Sequence, residues 1–222
     1  DGGIYQTAYV LFGLTMVEKN GFTVDDNVLA RGFAYLDQQL TSGQDASIQA
    51  FALYVKAVAG RGNLALAQAL RSRVTEMDSA AVAALALALQ QSGDTGGAQQ
   101  VVDQLLARVV ATPTIAYWPL ESTEWQWNHW QTMASPEKNT ALAVMALATL
   151  RPTDPHLPLA VHWLMQQRHG AGWRNTQATA FAVMGLADYI RLSGELQATY
   201  RYAVLLNEET VATGQVTPST LR

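Results

Sequence analysis

The stretch Ser79-Ala-Ala-Val-Ala-Ala-Leu-Ala-Leu-Ala-Leu89 carries no charge, and Ser79 is its only polar side chain. Alternation of Ala and Leu imitates a strand, but Ala is the best helix former and a poor strand former. The run also exceeds an ordinary strand, so it reads as a helix. A helix that is apolar on every side must be enclosed on every side. That requirement limits the chain to architectures in which some helices sit wholly inside others.

Four more segments are of the same kind: Thr7–Met16, Ser47–Ala59, Thr140–Leu150 and Thr176–Ile190. Between them run amphipathic segments, Asn27–Gln39, Leu64–Met77, Ala98–Val110 and His156–Arg168. In the first of these Val28, Leu29, Phe33 and Leu36 repeat at helical spacing while Arg31, Asp37 and Gln38 point away. The apolar segments start at positions 7, 47, 79, 140 and 176, hence at spacings of 40, 32, 61 and 36 residues. Three of these suit a helix-pair repeat. The long one holds an insertion at 111–137. Each apolar segment opens with Ser or Thr, whose hydroxyl is expected to cap the first turn. Gly21, Gly60, Gly93, Pro152, Pro155 and Gly170-Ala171-Gly172 mark the joints. An inner helix followed by an outer one, about five times over, predicts an all-α fold, an α/α toroid spanning 1–197.

After about Ala198 the period changes. Tyr200, Tyr202, Val204 and Leu206 alternate with their neighbours, Asn207-Glu208-Glu209 makes a turn, and Thr210–Val216 is strand-like again. A short β-hairpin alone is marginal in water. Residues 198–222 are therefore expected to be the first strands of a following domain, and the chain reads as a piece of something larger.

Composition excludes several functions. Fourteen Lys and Arg against eighteen Asp and Glu give a formal charge of −4 with no basic run. A nucleic-acid partner, which demands clustered cations, is not expected. The absence of Cys removes disulfides, Cys-based zinc sites and thiol nucleophiles. No apolar run approaches the ~20 residues of a membrane span. There is no G-x-S-x-G elbow, P-loop or dinucleotide fingerprint, and no cofactor or metal is expected. His156 and His162, six apart, fall on different sides of one helix.

The densest chemistry lies in the insertion, where Trp118, Trp125, Trp127 and Trp130 accompany Glu121, Glu124 and His129. Two carboxylates among indoles suit a glycosidase. The simpler reading is that large side chains anchor a long loop across the barrel, with the Trp residues as a contact loop. Asp25-Asp26, the only adjacent Asp pair, falls at a helix start, where the helix dipole accounts for it.

Trp163-Leu164-Met165-Gln166-Gln167-Arg168, followed by Gly170-Ala171-Gly172-Trp173-Arg174-Asn175-Thr176-Gln177-Ala178-Thr179-Ala180, resembles a joint of the α-macroglobulin family. Asp1-Gly2-Gly3 with Tyr5–Leu11, Ser135–Leu142, and Tyr202–Leu206 with Asn207 and Gly214–Thr217 resemble further parts of bacterial members. The resemblance implies the α/α toroid of a thioester-containing domain, followed by a β-sandwich of CUB type. It implies a large secreted or periplasmic endopeptidase inhibitor, possessing a bait region and a Cys–Gln acyl donor kept dry until a protease partner is caught. The thioester motif is missing here, since there is no Cys. The joint Thr41-Ser42-Gly43-Gln44-Asp45 also lacks the His that relays acyl transfer in some complement relatives. No catalytic residue is carried over, and the stretch is expected to be a non-enzymatic scaffold. Gly170, Gly172, Trp173 and Thr176 are its expected structural joint. The alternative is an α/α-toroid enzyme, either of terpene-cyclase or prenyltransferase type, for which the acidic clusters are missing, or carbohydrate-active.

Overall fold

The computed structural model describes residues 3–40, 44–120, 132–194, 199–217 and 219–220. Its helices alternate as the pattern predicts. Inner helices are α1 (Ile4–Lys19), α3 (Ala46–Val58), α5 (Ser79–Gln91), α7 (Pro136–Leu150) and α9 (Thr176–Ser193). Outer helices are α2 (Asp26–Gln39), α4 (Leu64–Leu70), α6 (Thr95–Leu106) and α8 (His156–Gln166). Inner helices pack in chain order, α1 on α3, α3 on α5, α5 on α7 and α7 on α9. Every residue of α5 from Ser79 to Leu89 is buried. The enclosure that its composition demanded is met.

Side chains close the ring between its first and last helices. Phe181 of α9 packs against Tyr9, Phe12 and Phe51, with ring centroids 6.2, 5.7 and 6.0 Å away. Aromatic pairs at such separations add about 0.5–1.5 kcal/mol each beyond burial. This aromatic cluster holds the seam, and within the insertion Tyr117 stacks on Trp163 of α8 at 4.9 Å and 8°.

The helix starts differ from the expected positions, and only α7 keeps a hydroxyl cap. Asp45, Asp78, Asn175 and Ser135 are the caps, each accepting a backbone N–H of the first turn. In α3, α5 and α9 a carboxylate or amide one or two residues earlier displaces the hydroxyl, because its oxygen accepts the first-turn amides instead. Thus Ser47, Ser79 and Thr176 lie inside their helices, and α7 begins at Pro136, four residues before the expected Thr140. The expected outer helix Leu64–Met77 ends early at Leu70 and continues as a 3₁₀ turn, Arg71–Glu76. Helix α6 starts at Thr95 because Asp94 accepts the Gly97 N–H at 2.7 Å.

The insertion opens with a small hairpin, β1 (Val110–Ala111) against β2 (Ala116–Tyr117), which the sequence pattern did not suggest. The final hairpin pairs β3 (Tyr200–Leu206) with β4 (Glu209–Val216), antiparallel, within a residue of the expected spans. Nearly all of its residues are exposed on both faces.

Candidate functional site

The N-terminal ends of the inner helices gather at one mouth of the ring. Tyr5 of α1 donates from its hydroxyl to Oε1 of Gln177 in α9 at 2.8 Å. Lys138 of α7 donates from Nζ to the Tyr5 hydroxyl at 2.5 Å and to the Thr132 carbonyl at 2.6 Å. Its ammonium also sits 4.7 Å from the Tyr5 ring centroid, a cation–π contact. The Asp78 N–H, at the head of α5, donates to the Ser47 hydroxyl of α3 at 3.1 Å. Polar bonds thus join α1, α7 and α9 in one set and α3 and α5 in another.

Between them lies a cavity of about 10 Å³, lined by Tyr5, Ser47, Phe51, Asp78, Lys138 and Leu142 among others. That is room for about one water. Burial lowers the Lys138 ammonium to about 8, a shift the Asp78 carboxylate partly opposes. Burial, with the Asp78 charge second, pushes the Tyr5 hydroxyl well above its usual range. Ser47 was expected as a helix cap, but none of these residues was given a role at a polar mouth, and Ser135–Leu142 entered only as a resemblance. The signal was present in Ser135-Pro136-Glu137, a capping residue followed by Pro at the first helical position. Placing the helix start there puts Lys138, Asn139 and Thr140 inside the barrel.

The residues expected to form the joint lie between α8 and the first turn of α9. Gly170 adopts a φ of 60°, and the His169 N–H donates to the Gly172 carbonyl at 2.9 Å. A Cβ on Gly172 would meet Thr179 Oγ1 at 2.8 Å, so a larger residue would crowd the start of α9. Trp173 is half-buried; its Nε1–H donates to the Leu164 carbonyl at 2.7 Å and its backbone N–H to Thr179 Oγ1 at 2.9 Å. Thr176 is exposed at the first position of α9, with Asn175 as the cap.

Trp118 is fully buried. Its indole N–H donates to the Leu105 carbonyl at 2.7 Å and its backbone N–H to Thr140 Oγ1 at 3.1 Å. Asn139 then donates to the Pro119 carbonyl at 2.9 Å. The start of the insertion is thus anchored as a large side chain permits. Trp125, Trp127, Trp130, Glu121, Glu124 and His129 lie outside the described residues. Among the described residues no three His, Cys, Asp or Glu side chains converge for a metal. Asp25 accepts the Asn27 N–H as the cap of α2, which explains the Asp pair. No helix among them is long and apolar enough to cross a membrane.

A closed α/α ring of inner and outer helices, its mouth built from inner-helix N-termini, defines the class: an α/α toroid. Residues 55–189 match the family model of the A-macroglobulin TED domain, and the chain belongs to that family. The whole chain also superposes on solved α2-macroglobulins. Against the Escherichia coli protein activated by porcine elastase the TM-score is 0.68 at 18% identity, with 100% of this chain and 20% of that one covered. Against the native E. coli protein from domain MG7 to the C-terminus it is 0.68 at 19%, with 100% and 35% covered. Against the Salmonella protein reacted with methylamine it is 0.68 at 19%, with 100% and 15% covered. These likenesses establish the fold, and the chain spans about a fifth of the length of the first of these relatives. No curated protein sequence matches.

Proposed function

We propose that the chain is the toroidal scaffold of the thioester domain in an α-macroglobulin-type endopeptidase inhibitor of bacterial origin. The observation that carries the reading is the family match over residues 55–189, inside a toroid that superposes along its whole length on α2-macroglobulins. Residues 1–197 form the toroid and 198–222 the first strands of a following β-sandwich. Gly170, Gly172, Trp173 and Thr176 act as the joint that sets the last inner helix. Trp118 is the anchor of the contact loop, and Trp125, Trp127 and Trp130 are its contact residues. The scaffold itself is not an enzyme. The partners of the whole protein are proteases, met in the periplasm or outside the cell.

Two relatives support the choice of test, since one was activated by an elastase and another reacted with methylamine. The full-length protein is mixed with elastase, with and without methylamine pretreatment, and resolved on a denaturing gel. A covalent adduct abolished by methylamine is expected if the rest of the protein carries the acyl donor. Protease held in a native complex without an adduct marks a trap lacking a thioester. Protease neither held nor slowed overturns the reading.

A further inference from the structure

Lys138 is 3% exposed, yet among the described residues no carboxylate forms an ion pair with it. A buried cation without a paired anion is costly, and water is where its charge is best solvated. The Asp78 carboxylate lines the same cavity as the ammonium, and its Oδ1 caps α5 by accepting the Ala81 N–H at 2.7 Å. Meanwhile the same ammonium is the hub of the mouth, joining α7 to Tyr5 of α1, which in turn holds Gln177 of α9. One residue therefore both fastens three helices and supplies a reason for them to part.

We propose that Lys138 is a proton-sensitive latch on this mouth of the ring: uncharged it stays fastened, and charged it lets the first turns of α1 and α7 open. The proposal rests on the geometry of the mouth and not on the protease-trap reading. Among the described residues, the groups that face the latch are few. Helix α1 contributes Tyr5, with Tyr9 behind it, and the head of α5 contributes Asp78. Helices α3 and α9 contribute Ser47 and Gln177, which do not titrate, and Glu137 precedes Lys138 on α7. Asp45, at the head of α3, accepts the backbone N–H groups of Ser47 and Ile48.

The sign follows from linkage. Opening restores the ordinary lysine value of 10.5, whereas the closed mouth holds about 8. Opening therefore takes up a proton between those values, and its equilibrium constant falls about tenfold per pH unit, about 300-fold in all. Below 8 it is constant, and the mouth is at its loosest.

Peptide-level hydrogen exchange on the full-length protein tests this, followed from pH 7 to 10 in dilute urea too weak to promote global unfolding. Intrinsic amide exchange rises about tenfold per unit, so the falling opening constant cancels it. Peptides covering the first turns of α1 and α7 are expected to exchange at a nearly constant rate from pH 8 to 10. In Lys138→Met the rate in those peptides is expected to rise with the intrinsic slope throughout. Lys138→Gln serves as a second uncharged variant should Met not fold. Tyr5→Phe is expected to speed exchange in the first turn of α9 while the flat profile at α7 persists. An intrinsic slope in the wild-type protein, or a flat profile surviving in Lys138→Met and Lys138→Gln, overturns the latch.

Discussion

Helix α5 and the β3–β4 hairpin are both written in apolar residues, and they end in opposite environments. In α5 the residues Ser79 to Leu89 are all buried. In the hairpin Tyr200, Tyr202, Val204 and Leu206 keep 46–63% of their surface exposed. The difference is one of completeness. A helix apolar all round finds its whole enclosure in the neighbouring repeats, whereas an alternating strand pair needs a second layer, and no described residue supplies one. Apolar pattern thus names the element, and the number of layers available decides whether its surface is used.

The sharpest way to break that contrast is Leu85→Ala in α5. With the side chain fully buried, a loss of about 3–4 kcal/mol is expected in urea melts. A loss below about 1 kcal/mol would show a core that relaxes around the gap. Trp173→Ala comes next, at about 2–3 kcal/mol, less than a fully buried Trp because the residue is half-exposed, though its bond to the Leu164 carbonyl is lost as well. Third is the pH profile. Lys138 has a lowered folded-state value, so the unfolded chain binds more protons between about 8 and 10.5. Its contribution to stability therefore rises with pH, by about 2 kcal/mol from pH 8 to 10. Tyr5, raised well above 10, adds a loss beyond that point. The measurement is the difference between wild-type and Lys138→Met melts across pH, and a parallel pair of curves would contradict it. Gly170→Ala, at a φ of 60°, is expected to cost about 1 kcal/mol through strain at the joint. Val204→Ala, in the uncovered hairpin, should stay within about 0.5 kcal/mol by thermal denaturation. If it instead matches Leu85→Ala, the hairpin has a covering layer.

Much of the ring was legible because its signal is periodic and long. All five inner and four outer helices fall where apolar and amphipathic segments alternate, and the final hairpin lies within a residue of its expected ends. Boundaries were less legible, since Asp45, Asp78 and Asn175 compete for capping with the Ser or Thr that follows, and the earlier residue's oxygen accepts the first-turn amides instead. The joint at Gly170–Trp173 could be read locally, because a turn and its anchor are close in sequence. The polar mouth could not. Tyr5, Lys138 and Gln177 are joined across separations of 133 and 172 residues, and no local pattern carries such a pairing. The small β1–β2 hairpin, two residues in each strand, is too short to leave a period.

The seam between α1 and α9 has a consequence for assembly. The extended packing of inner helix on inner helix joins neighbours in the repeat, so the ring can grow outward from any pair as an open arc. The seam brings the end of that arc back to α1 and α3, and its loop-closure entropy has to be met before Phe181 gains Tyr9, Phe12 and Phe51. Closure is thus a late event on the folding path. A conservative truncation such as Phe181→Leu should leave the refolding limb of a chevron nearly unchanged and steepen the loss by faster unfolding. The circle forms as a chain of neighbours and is shut last, where its first and last turns of helix meet.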